Sequence, residues 1–463
     1  MDTPVTILIL AAGLGTRMKS KKAKVLHRAG GRALIEHVVD TALQLTSAER
    51  IFVVVGHQAA EVQALVKDRR VRFVMQQEQK GTGHAVMMAR DVTQPHVGCL
   101  LVLYGDVPLL TASTLRTLIT TQAGSDCAAT IITTCLDDPT GYGRVIRAPD
   151  GTVQAIVEQR AATAQQFSIR EINSGIYCFD AALLWKHIGE IQPNNPAREF
   201  YLTDIVEIFR RAGLRVQALQ HDNPRELLGI NTREELAAVD GIFRETAVQQ
   251  LMRSGVTVEK PDTVVVDLGV SVGMDTVIEP FAQILGQTTV GSDCHIGAGS
   301  IICDSQIADG CFIGPYTIIT ESRLESGAVV GPYARLRTGT VVGENARVGN
   351  FVEVKKTHIG PGTKAMHLAY LGDAIVGSEV NVGAGAITCN YDGYKKHETR
   401  VGDRAFIGSN VTLVAPLEVG SGSFVAAGSV ITESVPEDAL AITRTQQVNK
   451  PGWARRRREQ HPE

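Results

Sequence analysis

From Val401 onward an aliphatic residue returns at every sixth position: Val401, Ile407, Leu413, Val419, Val425 and Ile431. The same step joins 278, 284, 290 and 296, then 307 and 313, then 324, 330, 336, 342 and 348, and finally 376 and 382. This is the hexapeptide-repeat period, and it specifies a parallel β-helix. Each hexad supplies one flat side, its aliphatic residue points into the bore, and the small residues after it turn the corner. A single coil cannot bury its own faces, so only a stack is stable. Glycine follows the aliphatic residue directly at Gly402, Gly408 and Gly420, and 26 of the 45 glycines fall in residues 261–463 against 19 in residues 1–260. The period lapses twice, between 359 and 376 around the segment Thr363 to Asp373, and from Thr388 to Arg400. Insertions into a solenoid collect on one face, often the binding face, so both lapses are expected to carry function. The first holds His367 and the second Asn390-Tyr391; a histidine taken alone reads more plainly as a surface or packing residue.

The N-terminal part has another character. Val5 to Leu10 is a continuous apolar run of the kind buried on both faces of a sheet, and it ends in the glycine-bearing turn Ala11-Ala12-Gly13-Leu14-Gly15-Thr16-Arg17. Ile51 to Val55 ends likewise at Gly56, and Cys99 to Tyr104 at Gly105-Asp106. Helical stretches are expected between them, at about 33–46, 58–66, 83–90 and 113–122. Strands alternating with helices imply a mostly parallel sheet whose ligands gather beyond the strands' carboxyl ends, so the three turns should converge on one site. A lone Gly-x-Gly is also an ordinary tight turn. Arg17 and Lys24 downstream suit a polyphosphate, since bare backbone amides and two cations would face it. Gln76 to Ala85, with Gly81, Thr82 and Gly83, reads either as a binding loop or as a helix start capped by Thr82. Asp106, at a strand tip, is either a helix cap or a magnesium ligand, and the position favours the ligand.

Composition narrows the class. Forty-six Lys and Arg against forty-nine Asp and Glu leave a net charge of −3, without the positive charge of a general nucleic-acid binder. The eight cysteines form no CxxC pair, which argues for a reducing compartment, against thiolate zinc, and for small core residues. Met1 to Pro4 enters a strand without a basic leader, and no apolar run approaches the ~18 residues of a membrane span; the expectation is a soluble cytoplasmic protein. Residues 236, 239, 243, 247 and 251 form an apolar stripe on a helix capped by Thr232 and stopped at Gly255, a connector expected to pack on one of its neighbours. The tail Arg455 to Arg458 is read as a solvated end, with RNA or CoA phosphates as the alternative.

In order, LAAGLGTRM, KVLH, QQEQKGTGHA, LYGDVPL, DPTGYGRV, IVE, EINSG and GIN resemble the sugar-1-phosphate nucleotidylyltransferases, most closely the uridylyltransferase half of the bifunctional N-acetylglucosamine-1-phosphate uridylyltransferase/glucosamine-1-phosphate acetyltransferase family. The resemblance implies a Rossmann-like domain that binds UTP and Mg2+. Leu10, Ala11, Ala12 and Gly13 would cradle the nucleotide, Arg17 and Lys24 its phosphates, and Gln76, Gly81 and Thr82 its uracil. Tyr104 and Gly105 would line the nucleotide-sugar, Gly143, Glu158 and Asn173 would contact the sugar, and Asp106 and Asn231 would hold the metal. Ala23 stands where the family usually has proline before the lysine, which implies a less rigid loop.

The segments ARLRTG, GNFVEVKKT, HLAYLGDA, NVGAGAITCNYDG, GSN and AITR resemble the acetyltransferase half of the same family. That half implies a left-handed parallel β-helix, acetyl-CoA as co-substrate, and sites between neighbouring helices of a homotrimer. His367 would be the general base, because a sugar ammonium must lose a proton before it can attack a thioester. Glu353 would hold it in the right tautomer. Arg337, Lys355, Tyr370 and Asn381 would form the sugar-phosphate pocket, and Ala384, Asn390, Tyr391, Ser409, Ala427 and Arg444 would contact acetyl-CoA. The expected domains are 1–231 for nucleotidyl transfer, 232–253 for a helical linker, 254–452 for acetyl transfer and 453–463 for the tail. The expected product is UDP-N-acetylglucosamine, a precursor of peptidoglycan and other envelope glycans, with no nucleic-acid or membrane partner. Two rivals are a nucleotidylyltransferase for another sugar with a non-catalytic β-helix, and a non-enzymatic nucleotide-sugar sensor; Lys24, Asp106, His367 and the segments HLAYLGDA and NYDG argue against them.

Overall fold

The computed structural model describes residues 4–96, 98–195 and 198–461. The chain divides into two units between Phe243 and Arg244, inside a single helix, Arg233–Arg253.

In the first unit, seven strands lie in the order Val216–Gln220, Ala129–Cys135, Glu171–Asp180, Cys99–Tyr104, Val5–Leu10, Ile51–Val55, Arg72–Met75. Neighbours are parallel except at Glu171–Asp180, which runs against its neighbours on both sides and against Arg144–Arg147, one of two further strands off this path. The continuous apolar runs are the ones covered on both faces. Alternate residues of Val5–Leu10 enter different cores, Leu8 and Leu10 on one side of the sheet, Ile7 and Ile9 on the other. Helices Leu34–Leu43, Ala59–Val66, Thr82–Met88 and Ala112–Ala123 fall where the sequence places them.

Strand register sets the level of the turns. Leu10 pairs with Val54 and Tyr104, and Val55 with Met75, so the segments starting at Ala11, Gln76 and Gly105 all leave the sheet at one edge. Gly56 leaves there too but is packed in; a Cβ would meet the Gln76 carbonyl oxygen at 3.0 Å and Ala12 at 3.1 Å. The third wall of the site is the loop from Gln76 to Thr82, not the turn at Gly56.

The second unit is three parallel sheets of 11, 10 and 9 strands. Ile278 pairs with Ile296 and Ile296 with Ile313, so a coil takes 18 or 17 residues. Every position of the six-residue step is buried. Seventeen-residue coils shorten one side, as from Ile302 to Ile307 and from Ile319 to Leu324.

That shortening corrects the first expected lapse. Ile359 pairs with Val376 as an ordinary coil, and Ala365 and Leu371 continue the bore between them. Alanine at an inward position and a five-residue side hid the period there. His367 and Tyr370 therefore sit on the coil itself, in strands Lys364–His367 and Tyr370–Gly372. The second lapse is a true insertion: Val382 pairs with Ile407, 25 positions on, and the chain leaves after Cys389 and returns at Thr399.

The glycines after the inward residue have a reason other than turning. A Cβ at Gly402 would lie 2.6 Å from Ser421 N, and one at Gly408 2.5 Å from Ala427 N. Many corners are turned instead by non-glycine residues at positive φ, among them Asp293, Tyr316 and Asn345. Glycine is needed where the next coil's backbone approaches.

The apolar stripe of the connecting helix is divided. Leu236, Val239 and Phe243 join Met18, Leu34 and Ile230 in a first-unit cluster, whereas Ala247, Val248 and Leu251 belong to the core of the second unit. It packs on both neighbours, not on one. Residues Trp453–Gln460 form an exposed helix, and Pro462 and Glu463, like Met1 to Thr3, lie outside the described residues. All eight cysteines are free, five buried, with Cys135 exposed and Cys303 and Cys389 half-buried, so the core reading holds for five. No described helix is long and apolar enough to cross a membrane.

Two glycine substitutions should move stability in opposite directions. Gly402→Ala, which forces a methyl onto backbone, should destabilise the second unit by about 1–3 kcal/mol. Gly241→Ala, inside the connecting helix with nothing within 4 Å of its Cβ, should stabilise by about 0.5–1 kcal/mol. Urea unfolding of the two full-length variants measures both.

Candidate active sites

At the carboxyl edge of the first unit's sheet lies a cavity of about 510 Å³. It is lined by Leu10, Ala11, Ala12, Gly13, Lys24, Gln76, Gly81, Thr82, Tyr104, Asp106, Glu158 and Asn173, all candidates from sequence. Glu199, Tyr201 and Thr203 also line it and were missed, because their segment matches no motif recognised in the chain.

Local structure explains the placements. Gly15 is left-handed (φ 63°), and its missing Cβ leaves room for that of Lys24. Ala23 is buried at φ −57°, the value a proline ring imposes, and its N–H donates to Gln58 Oε1 at 2.5 Å. The implied loosening is thus offset by a hydrogen bond that proline, without an N–H, could not donate. The loop at Gly81 packs on the backbone of Phe200, which bonds Lys80 and Gly83, and the Thr82 hydroxyl accepts from Leu202 N at 3.1 Å. Thr82 is not a helix cap; Gly81 holds that position. Gln76 is buried against His84 and the Gly81 carbonyl.

The Tyr104 ring fills the space left by Gly175, and burial pushes its phenol up beyond the usual range. An irregularity in the strand Glu171–Asp180 falls between Asn173 and Tyr177 and lets the Asn173 amide donate to the Tyr177 hydroxyl. Asn173 N bonds the Gly143 carbonyl, and Gly143 lies against Glu158. Burial, then the nearby Asp204 carboxylate, raises the Glu158 pKa. Gly105 sits beneath the cavity against Val25 and Ile35.

Four polar side chains meet at the mouth. Lys24 Nζ pairs with Asp106 Oδ2 and lies 3.0 Å from Asn231 Oδ1, which also accepts from Arg17 at 2.8 Å. Arg17 borders an adjoining cavity of about 770 Å³ that shares Glu158, Glu199 and Tyr201 with the first. Asn231 is fixed from behind. Thr232 caps the connecting helix, and Glu235 Oε2 accepts the N–H groups of both Asn231 and Thr232. That reciprocal box was legible as Thr-x-x-Glu, although only Thr232 was read from the sequence.

In the second unit the candidates form two groups. Arg337, Lys355, Tyr370 and Asn390 come from consecutive coils of the 10-stranded sheet and the insertion beyond it. Asp373 joins two of them: its carboxylate accepts from Asn390 and lies 3.6 Å from Lys355. Gly372 carries no Cβ that would strike the Tyr370 hydroxyl. Within the insertion, Asp392 takes the Lys395 N–H, the His397 ring and the Tyr394 N–H, which hold its carboxyl down to about 2. Tyr391 is exposed there. Lys396 contacts Lys355, and that hydrogen-bond contact and the neighbouring charge lower its pKa.

His367 and Asn381 lie on the adjacent 11-stranded sheet. His367 is exposed and, among the described residues, makes no side-chain hydrogen bond. Glu353 does not hold it: its carboxylate accepts from Arg337 at 2.8 Å, and its strand neighbour is Tyr370. Ala384, Ser409 and Ala427 stack in a column down one corner, with Arg444 donating to the Ala427 carbonyl at 3.1 Å.

Comparison with known proteins covers both units. Residues 7–166 match the MobA-like NTP transferase domain and residues 261–361 the GMPPB C-terminal domain. The bifunctional protein GlmU of Solibacter usitatus (strain Ellin6076) is 55% identical, over 99% of this chain and 98% of its own. The GlmU proteins of Koribacter versatilis (strain Ellin345) and Shouchella clausii (strain KSM-K16) are 47% and 44% identical, over 98% and 97% of this chain and 97% and 98% of theirs. With similarity at that level running through both units, the chain belongs to the GlmU family of bifunctional proteins.

Proposed function

We propose that the chain makes UDP-N-acetylglucosamine in two transfers: acetyl-CoA acetylates glucosamine-1-phosphate in the second unit, and UTP activates the product in the first. The observation that carries the first step is the meeting of Arg17, Lys24, Asp106 and Asn231 at the mouth of a nucleotide-sized cavity.

In that step an oxygen of N-acetylglucosamine-1-phosphate attacks the α-phosphorus of UTP, a new P–O bond forms, and pyrophosphate leaves. Little proton transfer is required, so the protein's task is alignment and charge. Arg17 and Lys24 stabilise the leaving pyrophosphate. Gln76, Gly81 and Thr82 read the base, while Glu158, Asn173 and Gly143 hold the sugar. Asp106 and Asn231 fit Mg2+, because two hard oxygens converge on the one point now bridged by Lys24. Bound there, Mg2+ would neutralise charge on the phosphates.

In the acetyl step the amine of glucosamine-1-phosphate attacks the thioester carbonyl, His367 takes the amine proton, and the CoA thiolate leaves and is protonated. Arg337 and Lys355 supply positive charge for the sugar phosphate. Tyr370 and Asn381 meet its hydroxyls, and the column Ala384, Ser409 and Ala427 with Arg444 takes CoA, together with Asn390 and Tyr391. These groups stand on different faces of one coil stack, which supports a site completed by neighbouring copies in a homotrimer. An exposed apolar ladder supports it further: Phe281, Tyr316, Tyr333, Phe351 and Leu368 line one corner, next to His367.

Four substitutions test this reading. Asp106→Ala should cut pyrophosphate release from UTP and N-acetylglucosamine-1-phosphate by about 10³-fold and spare CoA release. His367→Ala should cut CoA release by about 10²–10⁴-fold and spare pyrophosphate release; parallel loss of both activities in either variant would refute separate sites. Gln58→Ala, which frees the Ala23 N–H, should slow uridylyl transfer by about tenfold through misplacement of Lys24. Adding Ala23→Pro to that variant should restore the rate, an outcome that a purely destabilising loss would not produce.

A further inference from the structure

We propose that Lys24 is a place-holding counter-ion that the divalent cation must displace, so that the metal enters with UTP and binds the nucleotide-free enzyme poorly. The inference rests on the reading of Asp106 and Asn231 as the metal's ligands. Asp106 is a buried carboxylate, and a buried charge calls for a partner of opposite sign. Lys24 supplies it, bridging Asp106 Oδ2 and Asn231 Oδ1, and Arg17 holds the same Asn231 oxygen. Both oxygens that a metal would take are thus already spent on cations, and an ammonium and a doubly charged ion cannot share them without strong repulsion. The stem of Lys24 is packed on Gly15, so only the outer part of the side chain is free to swing. That part borders the nucleotide cavity, where a triphosphate offers the ammonium a new partner. Metal and nucleotide therefore each release what holds the other out, and by linkage each tightens the other equally.

The test is a Mn2+ titration of the full-length, nucleotide-free protein, read by the paramagnetic resonance signal of free Mn2+. Lys24→Met should bind Mn2+ at least tenfold tighter than the unsubstituted protein, and Lys24→Arg, which keeps the charge, should stay weak. Adding Asp106→Asn to Lys24→Met should abolish the gain. Thermal unfolding is a second readout: Lys24→Met should lower the first unit's midpoint, and Mn2+ should raise it more than in the unsubstituted protein. Lys24→Gln replaces Lys24→Met if the latter does not fold. Equal or weaker Mn2+ binding by the neutral variants, with Asp106→Asn still weakening it, overturns the counter-ion role and leaves the metal reading standing. A gain that survives Asp106→Asn overturns the metal reading itself.

Discussion

A coil of the second unit leaves its inward side chains uncovered until another coil is laid on it, and everything else in that unit follows from this demand for stacking. Ile278, Ile296, Ile313 and Val330 stand one above another because each buries the last. The backbone of the next coil then comes so close that positions such as Gly402 and Gly408 have no room for a Cβ. Within that constraint a side can shorten by one residue, as at Ile302 to Ile307, provided its inward residue still lands in the column. Longer departures have only the outside left to them, and the segment between Cys389 and Thr399 takes it. The same rule frees the outward positions for chemistry: Arg337, Lys355, His367 and Tyr370 alternate with buried neighbours on strands whose inward residues are committed to the bore.

The first unit meets its constraint differently. Parallel strands bring several turns to one level, and the site is built from whatever leaves the sheet there. A carboxylate in such a place is buried before any ligand arrives, so it must be given a counter-charge by the protein, and Lys24 is that charge. The precision of Lys24 then depends on groups far away in sequence. Gln58 holds the residue before it, Gly15 admits its stem, and the helix cap formed by Thr232 and Glu235 fixes Asn231 opposite.

What was readable from the sequence follows the same division. Patterns with a fixed period or a contiguous motif could be read: the six-residue step, the buried strands, the helices between them, and the motif residues that line the cavity at the sheet's carboxyl edge. Where the signal was a volume, reading faltered, as at Ala365, whose small side chain is inward yet carries no aliphatic mark, so that an ordinary coil passed for an insertion. Partners across long separations left no trace at all. Nothing in the sequence couples Gln58 to Ala23, or Asp373 to Asn390, and nothing showed that Arg337 would claim Glu353. The connecting helix misled for a related reason, since one continuous stripe does not reveal that its two halves enter different cores.

The two sites differ in how much of the work one chain can do. Around Asp106, Lys24, Arg17 and Asn231 are joined by hydrogen bonds within the first unit, and the cavity is walled by it. Around His367 the situation is reversed: the coils above and below cover only the bore side, the imidazole faces outward without a hydrogen bond among the described residues, and Glu353 is taken by Arg337. A solenoid cannot supply a wall opposite its own flat side, because every outward side chain on that side points away from the axis. Orienting the proposed base on such a surface therefore calls for groups from outside the stack it stands on. The exposed ladder running to Leu368 supplies the apolar area with which a neighbouring copy would be held there, which makes assembly part of the proposed acetyl-transfer chemistry and leaves uridylyl transfer to the single chain.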